Sequence, residues 1–439
     1  MSAAARRLSP LLLLTGFILP VRADLVTDAN FTLRQAIRDA STGATAASRE
    51  FALLQTAIFD AVNGINTQYQ FYRVAPAAAP GSSPEAAAAT AAHAVLTSLY
   101  PTQAPAFDAT LSAQLGALPA GPSRDNGAFW GSLVATNILN WRANDHSTSD
   151  ISYVAGSLAG DWRPTAPTFG TPDSPQWPGV TPWIMSRGDQ FRPGSGPPLL
   201  NSQTYTADYT EVFELGESTG LHRTTDQTTS ALFWSYAPGS QTAVGHWNSI
   251  AQAAVAGKGN TLVENARLFA ALNTALADAA IVSSDAAYTY EFWRPIAAIR
   301  EAAIDDNVNT APFLNWDSLV PTPLSPEYLS ANAANAGAAA GVLNHLLGTE
   351  TAFTIGSDSI PTASLFFADF DAAAADAGLA GIYGGIQFRT SVEDGLAAGQ
   401  SLGSHVVTNF FQPVTSIPEP SAAALALLAA ASTGRRRRA

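Results

Sequence analysis

The feature that most restricts the fold is a series of alanine-rich stretches in which apolar residues recur three or four positions apart. Leu54, Ile58, Ala61 and Ile65 fall on one helical face, as do Leu262, Ala266, Phe269, Leu272, Leu276 and Ala279, because an α-helix completes a turn in 3.6 residues. Pro84 and Glu85 open an alanine run that reaches Leu99 and stops before Pro101. Proline at the first helical position has no hydrogen bond to lose, and past the last turn it ends the helix. Similar stretches predict helices over 105–117, 124–143, 242–256, 286–303, 332–347, 365–379 and 391–411. No long alternation of apolar and polar residues points to a large sheet. The expectation is therefore an all-α helical bundle. Two segments interrupt it, an Ala/Pro/Gly/Ser-rich loop over 75–84 and a proline-rich stretch over 163–200 that carries Phe169, Trp177, Trp183 and Phe191. So aromatic a stretch is expected to pack over the bundle, either covering a site or wrapping the structure.

The 439 residues, 47% hydrophobic and 13% charged, suffice for one large core or two modest ones and do not have the composition of a disordered protein. Cysteine is absent, which excludes disulfides and thiolate metal sites. A formal charge of -13 argues against nucleic acid and anionic membrane surfaces as partners.

Both ends run against that acidity. Arg6-Arg7, the apolar run from Leu11 to Leu19 and Val21-Arg22-Ala23 have the order of a signal peptide, so residues 1–23 are expected to be removed on export. At the other end stand Pro418-Glu419-Pro420, an Ala/Leu run from Ala422 to Ala431 and Arg435 to Arg438. This end, residues 416–439, resembles a PEP-CTERM sorting signal. The resemblance implies handling by export and exosortase-type sorting machinery. It also implies a transient membrane contact and a final place at the cell envelope, surface or extracellular matrix. The arginines resist translocation, and the apolar run is short for a lasting anchor. Between the two ends, residues 24–412 read as one domain whose only lysine is Lys258.

Within that domain several motifs occur in order: Phe191-Arg192-Pro193, Asp208-Tyr209-Thr210-Glu211-Val212, Phe233-Trp234, His246-Trp247-Asn248, Ala266-Arg267-Leu268-Phe269-Ala270, and the segment from Tyr290 to Arg300. Together with Thr322 to Leu343 and Ile382 to Gly399, they resemble the vanadium-dependent haloperoxidase-like branch of the type 2 phosphatidic-acid phosphatase superfamily. The resemblance implies a helical fold with a cradle for phosphate or vanadate at one end of a bundle. The family pattern is Lys-x6-Arg-Pro, then Pro-Ser-Gly-His, then Ser-Arg-x5-His. Lysine and the two arginines neutralise the anion and grip its oxygens. The serine hydroxyl and glycine N–H add donors, and the first histidine works as acid and base. The last histidine is the nucleophile or the vanadium ligand.

This chain departs from the pattern at most of these positions. The lysine position is Ala287, whereas Arg294 and Pro295 match. The second motif reads Leu329-Ser330-Ala331-Asn332, keeping only Ser330; the Ser-Arg pair reads Ala380-Gly381 and the final histidine is Gln387. The oxyanion-binding remnants are thus Arg294 and Ser330. A charge-assisted hydrogen bond contributes roughly 1.5–3 kcal/mol. Loss of two cations should weaken anion binding by about 3–6 kcal/mol, on the order of 10²–10⁴-fold. Asn332 and Gln387 do not titrate near neutrality, so neither replaces an acid–base histidine. His93, His146, His222, His246, His345 and His405 all lie off the motif positions. His345 and His405 read as structural or surface residues, and His246 as a packing or capping residue. No spacing suggests a zinc site or a calcium loop. A buried Arg294 would need a partner, for which Asp285, Glu327 and Asp394 are candidates. The expectation is a degenerate oxyanion site without cofactor, in a catalytically silent protein with a binding or structural role. The alternatives are an active haloperoxidase or acid phosphatase that holds vanadate or phosphate beside Arg294, and a site in which Ser330, Asn332 and Gln387 bind a neutral substrate such as a sugar.

Overall fold

The protein, described by a computed structural model over residues 24–414, is built on one long central helix. The segments expected to be a signal peptide and a sorting signal lie outside the described residues. The first bundle comprises α1 (Leu25–Ala40), α2 (Ala44–Asn63), α3 (Pro84–Leu99), α4 (Ala104–Gly116) and α5 (Pro122–Arg142). The second comprises α6 (Gln203–Leu215), α7 (Thr225–Phe233), α8 (Thr242–Val255), α9 (Leu262–Tyr290), α10 (Pro295–Arg300), α11 (Ala331–Leu347), α12 (Phe370–Tyr383) and α13 (Arg389–Asn409). A two-stranded antiparallel hairpin, β1 (Phe353–Gly356) with β2 (Ser364–Phe367), sits between α11 and α12.

The spine is α9. Thr261 and Glu264 close its first turn as a reciprocal capping box, which satisfies amides that have no helical partner. By length and hydropathy α9 could cross a bilayer, but 94% of its apolar window is buried within the protein. It is the core helix: α2 packs on it from the first bundle, α11 and α13 from the second.

Small residues set how closely the other helices meet. A Cβ added at Gly399 of α13 would lie 2.1 Å from the Ala334 carbonyl oxygen of α11, and one at Gly131 of α5 would lie 2.2 Å from that of Ala87 in α3. At both crossings backbone touches backbone, and any side chain would force the helices apart.

Two buried carboxylates pin loops to this framework. Asp278 in α9 accepts the main-chain N–H groups of Trp183, Ile184 and Met185, at 2.7, 2.8 and 2.8 Å. Asp60 in α2 accepts those of Tyr72, Arg73 and Val74. The aromatic stretch over 163–200 therefore does lie on the bundle, with Trp177 and Trp183 buried. Phe169 departs from that expectation and is 67% exposed.

The helix expected over 286–303 is broken. Glu291 turns left-handed at φ 50°. Phe292 and Trp293 then pair with 160–162: Trp162 N–H donates to Glu291 O and Trp293 N–H to Gly160 O. Pro295 restarts the chain as α10. The helix expected over 365–379 begins only at Phe370, because Ser364–Phe367 pairs with β1 and the Asp369 side chain then caps Ala372 N–H. Three helices, α1, α6 and α7, were not expected from periodicity.

Candidate functional site

The break after α9 places Arg294 at the N-terminal edge of α10, 3% exposed and facing the loops that precede α11 and α13. Every arm of its guanidinium is engaged. Nε donates to Ser325 O at 2.8 Å, and Nη2 to Ser325 Oγ at 2.9 Å and Pro326 O at 3.1 Å. Nη1 donates to Ile386 O at 3.0 Å. Next to it lies Gln387. The orientation of its carboxamide that satisfies both ends puts the oxygen 2.8 Å from Arg294 Nη1. The nitrogen then donates to Glu327 Oε1 at 2.7 Å and to Ser391 Oγ at 3.1 Å. Phe388 N–H donates to the same Glu327 oxygen at 2.9 Å. Gln387 thus bridges a buried guanidinium and a buried carboxyl.

Burial governs the ionisation of both ends. Desolvation lowers Arg294 to about 10 even though Glu327 and Tyr288 oppose the shift. Desolvation raises Glu327 to about 8, against the pull of Arg294 and of the Phe388 amide. At neutral pH the Glu327 carboxyl is protonated. Its Oε2, which meets no hydrogen-bond partner, is the oxygen free to carry the proton. A folded-state pKa above the unfolded value means the folded protein keeps a proton that the unfolded chain releases. This contribution is complete below pH about 4.5 and disappears as pH rises through about 8. Between pH 5.5 and 7 one such proton changes stability by about 1.4 kcal/mol per pH unit, and by about half that at pH 8. Glu327→Gln, which cannot ionise, should therefore have a denaturant midpoint that falls less steeply than the wild type over this range. Parallel curves would show that Glu327 is already ionised.

The remaining motif positions are dispersed. Ser330 caps α11, its hydroxyl accepting Ala333 N–H at 3.3 Å, and its own N–H donates to Ser391 O. Asn332 turns to the end of α7, where Nδ2 donates to Trp234 O at 3.2 Å. Ala287, Leu329 and Ala380 are buried, whereas Ala331 is exposed. Gly381 accepts the N–H groups of Ile386 and Gln387 on its carbonyl. A Cβ at 381 would stand 2.7 Å from Gln387 Cγ, so the missing side chain makes room for the glutamine. Arg294, Gln387 and Gly381 are thus brought together with Ser325, Glu327 and Ser391. Asn332 is not part of this group, since its amide reaches the Trp234 carbonyl instead.

The ion pair expected for Arg294 is not formed. Asp285 pairs with Arg192 at 2.9 Å, and Asp394 accepts the Tyr328 hydroxyl at 2.6 Å. Glu327 makes no direct contact with Arg294: Gln387 links the two by hydrogen bonds, and a longer-range Coulombic attraction adds to it. The compensation comes from main-chain carbonyls, which leave no mark in a sequence. Ser325 and Ser391, absent from the expected set, are found only once the loops are folded together.

The histidines do not supply the missing imidazole. His246 is fully buried between Phe233 and Trp234, with Nδ1 3.1 Å from the Tyr236 hydroxyl. Burial lowers it to about 4, so it is neutral at pH 7, as suits a packing residue. His93 pairs with Asp108 at 2.6 Å. His345 is exposed, and His405 is partly buried against Phe191. Lys258 reaches only Leu347 O and Thr351 Oγ1. Among the described residues no group of three or more His, Cys, Asp or Glu is arranged to hold a metal.

Comparison with known proteins identifies the fold. A family model described as the VCPO second helical-bundle domain matches residues 267–416, the part that holds Arg294, Gln387 and Glu327. The structure of a bacterial vanadium-dependent iodoperoxidase is similar with a TM-score of 0.78 and 24% identity, over 90% of this chain and 97% of that one. A holo-type bacterial vanadium-dependent chloroperoxidase is similar with a TM-score of 0.66 and 16% identity, over 83% of this chain and 91% of that one. The apo-type chloroperoxidase gives 0.68 and 16%, over 83% and 92%. None of the curated proteins matches the sequence. The fold is the helical bundle of the vanadium haloperoxidases.

Proposed function

We propose that this protein keeps the haloperoxidase bundle as a scaffold and has given up halide oxidation and phosphate-ester hydrolysis. One observation carries this reading: the guanidinium of Arg294 is 3% exposed and spends its donors on Ser325, Pro326, Ile386 and Gln387. A tetrahedral oxyanion needs converging cations and donors that are free to receive it. Here the side chain at the final family position is itself the acceptor, and a buried carboxyl stands behind it. The residues present do not fit vanadate.

The competing reading, an active haloperoxidase or acid phosphatase, draws on the likeness to the iodoperoxidase. It requires the anion to displace Gln387 from Arg294 and to bind without a second cation, in a body whose net charge repels it. The resemblance of the two ends to a signal peptide and a PEP-CTERM sorting signal supports a location at the cell envelope or outside it, after handling by exosortase-type sorting machinery. There it would serve binding or structural purposes.

The test is enzymatic. Purified protein with millimolar vanadate, hydrogen peroxide and bromide or iodide should halogenate a phenol no faster than the same mixture without protein. Protein-dependent turnover that saturates with vanadate would overturn the proposal. So would hydrolysis of a phosphomonoester that vanadate inhibits.

A further inference from the structure

The described chain does not leave the fold at the end of its last helix. After α13, Phe411 turns left-handed at φ 58° and buries its ring, edge-on to Phe59 at 5.1 Å and stacked on Tyr72 at 5.6 Å. The Phe411 carbonyl accepts Arg267 Nε from α9 at 2.8 Å, while that guanidinium lies over the Tyr69 ring at 4.6 Å. The next residues then form a short antiparallel ladder with the loop after α2. Gln70 N–H donates to Gln412 O at 2.8 Å, and Val414 N–H to Gln68 O at 2.9 Å. That loop is itself fixed. Asn63 accepts the Gln68 and Tyr69 amides and donates to Tyr69 O, and Asp60 takes the next three amides from Tyr72 to Val74.

We infer that residues 410–414 are an exit clamp, which carries a pull on the C-terminal segment into α2 and α9 instead of letting it peel α13. A helix pulled from its end yields one hydrogen bond at a time, and its last turn has the fewest. The clamp places a buried aromatic anchor, a charge-assisted bond and two ladder bonds ahead of that turn. Residues that follow 414 can then be held by an outside structure while α13 keeps its contacts with α11, next to the buried Arg294 network. For its purpose the inference rests on the reading of the protein as an envelope scaffold. Its test is independent of that reading, because pulling measures the clamp whether or not the protein halogenates anything.

The chain has no cysteine, so Thr136→Cys on α5 and Ser416→Cys beyond the clamp give a defined pair of handles for single-molecule pulling. The full chain carrying these handles should lengthen first in a large cooperative step. In Phe411→Ala and in the milder Arg267→Met, a small early step should appear at lower force. Its size should be about 4 nm, the gain when 21 helical residues become extended. Should Phe411→Ala fail to fold, Arg267→Met carries the comparison. An early 4 nm step in the parent chain overturns the inference, and so do variants that open at the parent's force.

Discussion

Arg294→Ala should destabilise the protein by about 4 kcal/mol or more, read as a fall in the urea midpoint at pH 7. The substitution strands the acceptors at Ser325, Pro326 and Ile386 and leaves a void where the side chain was. Each buried polar group left without a partner costs about 1–3 kcal/mol. Arg294→Lys should recover only part of the loss, since an ammonium cannot reproduce the planar fork that reaches both loops at once. The direction separates the two readings of this residue. An arginine kept to bind an anion is held at some cost to the fold, and its removal usually leaves stability unchanged or higher. An arginine kept to tie loops together is lost at the expense of the fold. A variant as stable as the wild type would return Arg294 to the role of an anion ligand.

The contrast explains which parts of the molecule could be read from the sequence. Regular helices could: α3 starts at Pro84 and ends at Leu99, where its proline and alanine pattern put it, and α9 follows the apolar face from Leu262 onward. Those signals are local. The break at Glu291 has a non-local cause, because it depends on a bridge from Asp161 to Phe292 that joins residues far apart in the chain. The hairpin was missed for a related reason, since four-residue strands carry too few alternations to stand out. Gly395, Gly399 and Gly403, spaced at four in α13, line the face that the α11 backbone approaches, which apolar periodicity alone did not single out. At the site, the sequence could say which groups are absent from Ala287, Asn332, Gly381 and Gln387. It could not say what Arg294 does instead, because its partners are mostly carbonyl oxygens and every residue has one.

Asp278 poses the same problem in a sharper form, and Asp278→Asn should cost about 3 kcal/mol despite the near-identical shape of the two side chains. The residue lies in the middle of the long central helix α9, fully buried, with its carboxyl raised to about 6 by desolvation and held down by three amides and by Arg142. Three N–H groups, from Trp183, Ile184 and Met185, converge on its two oxygens. The site contains only donors, and a carboxylate contains only acceptors. An asparagine must turn its NH₂ toward at least one of those N–H groups, which leaves donor facing donor in a medium that strengthens the repulsion. The loop over 163–200 should then loosen first, because its buried Trp183 is placed by this contact. Amide exchange of Trp183 to Met185 should accelerate by more than the overall loss of stability accounts for, while α11 and α13 exchange only as fast as global unfolding allows. Equal acceleration throughout would mean that the loop and the bundle open as one unit, and that Asp278 does not hold the loop separately.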